Sequence, residues 1–154
     1  MRLLVQRVSR AAVRVDGVAV SSVGRGLLAF IAIEKGDSAM LAAAAAEKIA
    51  LLRIFPGPGS AKMDLSVTET GGEVMVVSQF TLAASLRRGR RPSFDGAAAP
   101  EIATQLCDAF AEALRSRGVR VATGLFGAMM EVDLVNDGPV TFWLQSTPTG
   151  EFGP

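Results

Sequence analysis

The chain has 154 residues, a formal net charge of +1, one cysteine and no histidine. Its length fits one folded domain, because a single hydrophobic core typically serves roughly 100 to 200 residues. The absence of histidine excludes serine–histidine and cysteine–histidine catalytic groups, and a metal site would have to rely on oxygen ligands. Because the net charge is close to zero, a nucleic-acid partner would have to bind a local basic patch.

The N-terminal segment and the single cysteine indicate a cytoplasmic protein. Residues 1–7 contain a short apolar run that Gln6 and Arg7 interrupt, unlike the longer apolar region of a secretory signal. No segment approaches the roughly 20 uninterrupted apolar residues of a membrane helix. Cys107 has no second cysteine to pair with, which fits a reducing compartment. We therefore expect a cytoplasmic location and no membrane partner.

The first third of the chain predicts a hairpin, a strand and a helix. Alternating residues flank Asp16-Gly17, a dipeptide that readily adopts the positive φ angles of a two-residue hairpin turn. The continuous apolar run at residues 27–33 predicts a central strand that is buried on both faces. An alanine-rich stretch then predicts a helix that is capped by Asp37 or Ser38 and ends at about Arg53.

The middle of the chain predicts a strand and a second helix. After the turn at Gly71-Gly72, the apolar run at residues 74–77 predicts a strand that leads into Ser78-Gln79-Phe80-Thr81. After Pro100, apolar side chains recur at helical spacing until Gly118, which is a natural helix stop.

The last third of the chain predicts two strands and a tail. Residues 131–135 and 140–145 have strand character, and the turn formers at 136–139 predict a turn between them. Residues 148–154 are expected to form a loose C-terminal tail. Residues 1–147 are thus expected to form a single α+β domain, in which two helices pack on a largely antiparallel sheet system.

The segment Ser78-Gln79-Phe80-Thr81 is the first candidate for chemistry. If the strand continues through it, Gln79 and Thr81 lie on one face, opposite Ser78 and Phe80. One interpretation is an ordinary strand end with polar side chains. The other is a catalytic strand terminus, whose N–H groups and hydroxyls bind a developing oxyanion.

The segment Asn136-Asp137-Gly138-Pro139 is the second candidate. It is either a plain turn or a recognition element, because a Gly-Pro bond can be cis and would then turn the flanking carbonyls in an unusual direction.

Four arginines within six residues form the third candidate. Arg87, Arg88, Arg90 and Arg91 belong either to a solvated loop or to a phosphate-binding loop, since guanidinium groups match phosphate oxygens well. Phe94 is the one aromatic residue nearby, so the segment does not indicate specific base reading.

Together these segments resemble the D-aminoacyl-tRNA deacylase family over nearly the whole chain. The two most specific segments are Ser78-Gln79-Phe80-Thr81 and Asn136-x-Gly138-Pro139-x-Thr141, in this order. The other matching segments are Val5-Gln6-Arg7-Val8, Leu52-Arg53-Ile54-Phe55, Gly72-Glu73-Val74, Gly89-Arg90-Arg91-Pro92-Ser93-Phe94 and Phe126-Gly127.

The resemblance implies a barrel-like α+β fold and a homodimer with active sites at the interface. It implies a hydrolase that cleaves the ester bond of D-aminoacyl-tRNA, and of mischarged glycyl-tRNA, as a proofreading step in translation quality control. The implied partner is the 3′ end of aminoacyl-tRNA, and no cofactor, metal or DNA partner is expected.

The resemblance also implies a role for each candidate residue. Ser78, Gln79, Phe80 and Thr81 would line the catalytic site, with Phe80 acting through its N–H. The carbonyls of a cis Gly138-Pro139 unit from the other subunit would hold the substrate amino group and leave no space for an L side chain. Arg7 would hold that dipeptide, and Phe126 and Met130 would help form the pocket. The residues that would bind tRNA are Arg87, Arg88, Arg90 and Arg91.

Two hypotheses for the mechanism remain open without histidine. In the first, the 2′-hydroxyl of the terminal ribose orients the attacking water, and N–H groups near Gln79 and Phe80 stabilise the oxyanion. In the second, Thr81 is a covalent nucleophile, although the sequence shows no adjacent base to activate it.

Two segments depart from the family pattern. Ala83-Ala84-Ser85-Leu86-Arg87-Arg88 stands where members commonly carry Tyr-x-Asp-Thr-Arg-Lys, and Lys62-Met63-Asp64 replaces a usual Lys-Met-Asn.

Two alternative functions fit the same residues. They are a non-catalytic tRNA-binding module and a small-metabolite esterase on the same scaffold.

Overall fold

The computed structural model describes residues 1–87, 89–147 and 150–153, so Arg88 and part of the expected tail lie outside the described residues. Its helices are α1 (Ala39–Leu51) and α2 (Pro100–Arg115), with a 3₁₀ helix at Phe80–Ala83. The strands are β1 (Arg2–Val15), β2 (Val18–Val23), β3 (Gly26–Ala32), β4 (Phe55–Pro56), β5 (Met63–Leu65), β6 (Glu73–Ser78), β7 (Arg120–Thr123), β8 (Met130–Ser146) and β9 (Phe152–Gly153).

One curled sheet contains most of these strands, in the order β7-β6-β3-β1-β8-β9, and β2 pairs with β1. The pairings of β1 and β9 are antiparallel, whereas β3, β6 and β7 run parallel to one another. Parallel neighbours need long crossover connections, and these contain α1 between β3 and β6, and α2 between β6 and β7. The predicted α+β class with two helices is confirmed, but the parallel half of the sheet was not expected.

The predicted hairpin and helix cap are both present. Val15 pairs with Val18, and Asp16 and Gly17 have φ angles of +50° and +76°, as the two-residue turn requires. At the start of α1, the Leu41 N–H donates to the Ser38 hydroxyl over 3.3 Å, which satisfies one of the free N–H groups of the first turn.

Both faces of β3 are buried, as the apolar run at residues 27–33 predicted, and its parallel neighbour β6 is also mostly buried. On one face, Leu27 and Ile31 pack in the main core beneath α1 and α2, together with Phe110 of α2. On the other face, Leu28 lies in a second buried cluster whose further buried members are Val8, Ala11, Val13, Val23, Met75 and Val77. The second face is therefore shielded from solvent by the curled strands β1, β2 and β8.

The prediction of two strands joined by a turn at residues 136–139 is wrong. β8 is one strand that runs against β1 along its whole length, with Asn136 opposite Val8 and Thr141 opposite Gln6. Two steps along β1 thus correspond to five along β8, and the surplus residues bulge out of the sheet. The turn-forming residues create this bulge and do not reverse the chain, because both flanks keep the same direction against β1.

The expectation of a loose tail fails for the part that the structure describes. Phe152–Gly153 forms β9, in which Phe152 pairs with Ser146 and Gly153 pairs with Gln145. The Phe152 side chain packs against the main core, so apolar burial and sheet pairing together fix this segment. Within the described residues, no helix is long and apolar enough to cross a membrane.

Candidate active site

The segment Ser78-Gln79-Phe80-Thr81 begins as a strand and continues as a 3₁₀ helix. β6 ends at Ser78, and Gln79 has φ −144° and ψ 72° before the helical turn begins at Phe80. The prediction that Gln79 and Thr81 share a strand face is therefore wrong. The two side chains are nevertheless in contact, because the Gln79 amide nitrogen hydrogen-bonds the Thr81 hydroxyl.

A cavity of about 300 Å³ opens beside this turn. Ser78, Gln79 and Phe80 form one side, and Phe126 and Met130 lie across it. Its remaining lining is mostly apolar and includes Ile31, Ile33, Ala98, Ala103 and Cys107. Five of the predicted site residues thus meet in one cavity, whereas Thr81 is next to it and does not line it.

Main-chain N–H groups at the cavity differ in what they bind. The Gln79 N–H donates to the Ile31 carbonyl over 2.8 Å, so it is already used and cannot also stabilise an oxyanion. Phe80 and Thr81 begin the 3₁₀ helix, where N–H groups have no partner within the helix. Across residues 1–87, 89–147 and 150–153, no acceptor takes either N–H. The free donor pair is therefore Phe80 and Thr81.

Arg2 fixes the far end of the same 3₁₀ helix. Its Nη1 donates to the Leu82 carbonyl over 2.8 Å, and its Nη2 lies 3.0 Å from a carboxylate oxygen of Glu34. Arg2 was not among the predicted site residues, because its partners are distant in sequence and no local pattern indicates them. This contact holds the turn that presents the N–H groups of Phe80 and Thr81.

The Gly138-Pro139 unit forms the tip of the bulge in β8, and its peptide bond is cis, as the resemblance implies. The Asn136 amide nitrogen donates to the Arg7 carbonyl over 2.9 Å and to the Val140 carbonyl over 3.1 Å. The exposed dipeptide does not line the cavity of its own chain.

Arg7 supports the bulge from below. Its Nε donates to the Asp137 carbonyl over 2.8 Å and lies 3.1 Å from the Asp137 carboxylate. Its Nη1 donates to the Ile54 carbonyl, and its guanidinium lies over the Phe55 ring at 6.0 Å. The Arg7 side chain is only 13% exposed, so these contacts are shielded from solvent and hold the tip firmly.

Arg87, Arg90 and Arg91, here called the arginine loop, are exposed and do not line the cavity. Main-chain bonds between Ser85 and Ser93 close the loop, at 2.8 Å and 3.0 Å. Arg88 lies outside the described residues.

A family model described as D-Tyr-tRNA(Tyr) deacylase matches residues 4–145. The chain belongs to this family. A D-aminoacyl-tRNA deacylase from Thermomicrobium roseum is 55% identical over 146 residues, which cover 95% of this chain and 94% of that protein. One from Anaeromyxobacter dehalogenans is 53% identical over 95% of this chain and 97% of its own length.

Two solved structures resemble this deacylase-family fold. One is described as a c-Myc DNA unwinding element binding protein, with 37% identity and a TM-score of 0.89, covering 96% of this chain and 99% of its own. The other is described as a probable eukaryotic D-amino acid tRNA deacylase, with 21% identity and a TM-score of 0.80, covering 92% and 97%. The second likeness shows the shared fold alone.

Cys107 is the one thiol of this family member, and it lines the cavity from α2. Burial, with a smaller contribution from the neighbouring Asp108 carboxylate, raises the pKa of its thiol to about 12. Because the thiolate is the nucleophilic form, a thiol with this pKa is inert at neutral pH. In the described part of the chain, no group of three or more Cys, His, Asp or Glu side chains is placed to hold a metal.

We predict that native protein resists alkylation at Cys107. With a pKa of about 12, only about one thiol in 10⁴ is ionised at pH 8, and the ionised fraction rises as pH approaches the pKa. Iodoacetamide labelling followed by mass spectrometry should give little adduct in an hour at pH 8, and full adduct after unfolding in urea. Rapid stoichiometric labelling of the folded protein at pH 7 would show that the thiol is reactive.

Proposed function

We propose that this protein hydrolyses the ester bond of D-aminoacyl-tRNA, and of mischarged glycyl-tRNA, as a proofreading enzyme in the cytoplasm. The observation that carries the proposal is the pair of free N–H groups at Phe80 and Thr81, beside a mostly apolar cavity. Family membership and the names of its relatives support the substrate.

Free N–H groups can supply the main catalytic effect in ester hydrolysis. Water attack on an ester places negative charge on the carbonyl oxygen, and donors fixed in advance stabilise that charge. Phe80 and Thr81 are fixed by the Gln79–Ile31 bond on one side and by Arg2 on the other. The substrate carbonyl would therefore point at the start of the 3₁₀ helix.

The chain offers few groups that could act as a general base at this position. It contains no histidine, and the raised pKa of Cys107 keeps its thiol protonated. The 2′-hydroxyl of the terminal ribose lies beside the reacting ester in any aminoacyl-tRNA, so it can orient the attacking water without a side chain. Thr81 is a poor nucleophile here, because the side chain that contacts its hydroxyl is the neutral amide of Gln79.

Chiral selection would come from a second copy of the chain in a homodimer. The Gly138-Pro139 tip is exposed, is held by Arg7 and Asn136, and does not line the cavity of its own chain. Inserted into the cavity of the other subunit, its carbonyls would bind the substrate amino group and exclude an L side chain by contact. Glycine has no side chain to exclude and would also react.

We expect purified protein to hydrolyse D-Tyr-tRNA at least about 100-fold faster than L-Tyr-tRNA, because only the L side chain collides with the tip. The measurement is the release of radiolabelled tyrosine from each tRNA. D-tyrosine methyl ester serves as a control for a small-metabolite esterase and should be a poor substrate.

The same assay tests the role of the ribose. A D-Tyr-tRNA whose terminal ribose lacks the 2′-hydroxyl should bind but remain intact. Binding of all tRNAs without any turnover would instead identify a non-catalytic module, and unimpaired cleavage of the deoxy substrate would exclude the hydroxyl as a participant.

Phe80→Pro should reduce kcat about 100-fold or more relative to Phe80→Ala, because proline removes the N–H that binds the oxyanion. Both variants lose the ring, so their ratio isolates the N–H. Proline suits the first position of a helix, and Gln79 before it is outside the helical region, so the turn should persist. Single-turnover rates at saturating protein measure the effect, and equal rates for the two variants would remove Phe80 N–H from the mechanism.

Gly138→Ala should lower the ratio of D to L hydrolysis about tenfold or more. A Cβ at this position would lie 2.6 Å from the Val140 nitrogen and 2.3 Å from Asn136 Oδ1, and the two hydrogen bonds that Asn136 Nδ2 donates hold this amide group in place. The tip must therefore shift, and small displacements of binding groups are costly in catalysis. Gly153→Ala is the matched control, since its Cβ meets no atom within 4 Å. A Gly138→Ala enzyme with unchanged selectivity would contradict the role of the tip.

A further inference from the structure

Two exposed aromatic rings lie in contact at the edge of the residues that line the cavity, since Phe80 lines it and Phe94 does not. Phe80 is 58% exposed and Phe94 is 36% exposed, and their ring centroids are 5.0 Å apart with an interplanar angle of 65°. Neither ring belongs to the two buried clusters or to the apolar side chains that pack against them. An edge-to-face pair that belongs to no core and is partly exposed to solvent is suited to binding a flat apolar surface.

The backbone fixes this ring pair before any ligand arrives. Phe80 begins the 3₁₀ helix, and the main-chain bonds between Ser85 and Ser93 fix the residue before Phe94. The Phe94 carbonyl accepts a hydrogen bond from the Ala97 N–H over 2.9 Å, which closes a tight turn after it. A ring platform with a fixed backbone loses little conformational entropy on binding.

The pair connects the cavity with the arginine loop. Phe80 lines the cavity, whereas Phe94 does not line it and follows the closing strand pair of the loop. Arg87, Arg90 and Arg91 are exposed, and within the described residues none of them forms an ion pair. The nearby Asp95 carboxylate is turned to its own loop, where it accepts from the Ser93 hydroxyl over 2.7 Å. The ring pair thus has one member at the cavity and the other next to a loop with unpaired guanidinium groups.

We propose that the Phe80–Phe94 ring pair stacks the base of the unpaired nucleotide that precedes the esterified terminal nucleoside, while the arginine loop binds the adjoining phosphates. The inference rests on the proposed deacylase function, because it takes the terminal ester to lie in the cavity. Stacking on aromatic rings and ion pairing with phosphates are the two contacts by which proteins bind single-stranded nucleic acid without reading its sequence. The site would therefore bind the 3′ end of any tRNA, whichever amino acid it carries.

The test compares substrates with and without the preceding nucleotide. Phe94→Ala should lower kcat/KM for D-Tyr-tRNA about tenfold, through KM, as expected for the loss of one stacked base. Hydrolysis of 3′-O-D-tyrosyl-adenosine, which lacks that nucleotide, should be the same as for the unsubstituted protein. Phe94→Trp should restore the tRNA rate, whereas Phe94→Leu, which is apolar but has no ring, should not.

Two controls separate stacking from general damage. Met40→Ala removes an exposed apolar side chain on α1, away from the ring pair in sequence, and should change the hydrolysis of neither substrate. Loss of activity on both substrates in Phe94→Ala would show that Phe94 merely supports the cavity, and an unchanged rate on tRNA would show that it binds nothing. Either result overturns the inference and leaves the proposed function standing.

A binding experiment tests the ring pair independently of turnover. Uncharged tRNA with 2-aminopurine at the penultimate position should change its fluorescence on titration with protein, and the change should be lost in Phe94→Ala and kept in Phe94→Trp. If unsubstituted protein hydrolyses neither D-tyrosyl substrate, the proposed function fails. If it hydrolyses both but the probe gives the same signal with and without Phe94, the stacking inference alone fails.

Discussion

One hydrogen bond, from the Gln79 N–H to the Ile31 carbonyl, sets the geometry of the candidate site. It is the last rung between β6 and β3, two parallel strands that are buried on both faces. Beyond it the chain turns into the 3₁₀ helix, and the next two N–H groups are left without acceptors. The N–H groups of Phe80 and Thr81 are free because the pairing of β6 with β3 ends at Gln79. They are held in place because these two strands are buried. A donor on a free loop would have to be ordered anew for each substrate.

The position of the Gly138-Pro139 tip likewise depends on a strand of the sheet, β1. β1 pairs with β3 on one side and with β8 on the other, so the strand that supports the β3–β6 pairing also supports the bulge. Arg7 and its carbonyl bind the bulge at Asp137 and Asn136, and Arg2 on the same strand binds the 3₁₀ helix at Leu82. The candidate catalytic turn and the tip are thus held by side chains at two positions of one strand. Their relative placement is therefore as stiff as the sheet itself.

The sequence allowed the local elements to be predicted, and the errors concern long-range pairing. The Asp16-Gly17 hairpin and the Ser38 cap depend on neighbouring residues, and both are present. The bulge at Gly138 could not be distinguished from a turn, because the choice depends on whether both flanks pair with β1. The parallel order of β3, β6 and β7 likewise depends on where the two crossover helices pack.

The same limit applied to the site. The residues of Ser78-Gln79-Phe80 were found from their composition, together with Phe126 and Met130 from the resemblance, and one cavity collects all five. Which N–H groups are free was not predictable, since it requires knowing that the Gln79 N–H donates to the Ile31 carbonyl. Arg2 was missed for the same reason: its acceptor is eighty residues away in the chain.

A site built from main-chain groups explains how a chain without histidine could be both selective and tolerant. The larger cavity of about 780 Å³ beside Asp37 contains none of the predicted residues, whereas the smaller one contains five, so size does not locate the chemistry. In the smaller cavity, N–H groups and carbonyls would contact only atoms that all aminoacyl esters share. Such contacts give no preference among side chains, and discrimination must then come from exclusion by shape. In the proposed dimer, exclusion would act on the hand of the α-carbon, because an L side chain would point at the tip and a D side chain would point away. Glycine would also be hydrolysed, since it has no side chain for steric exclusion to act on.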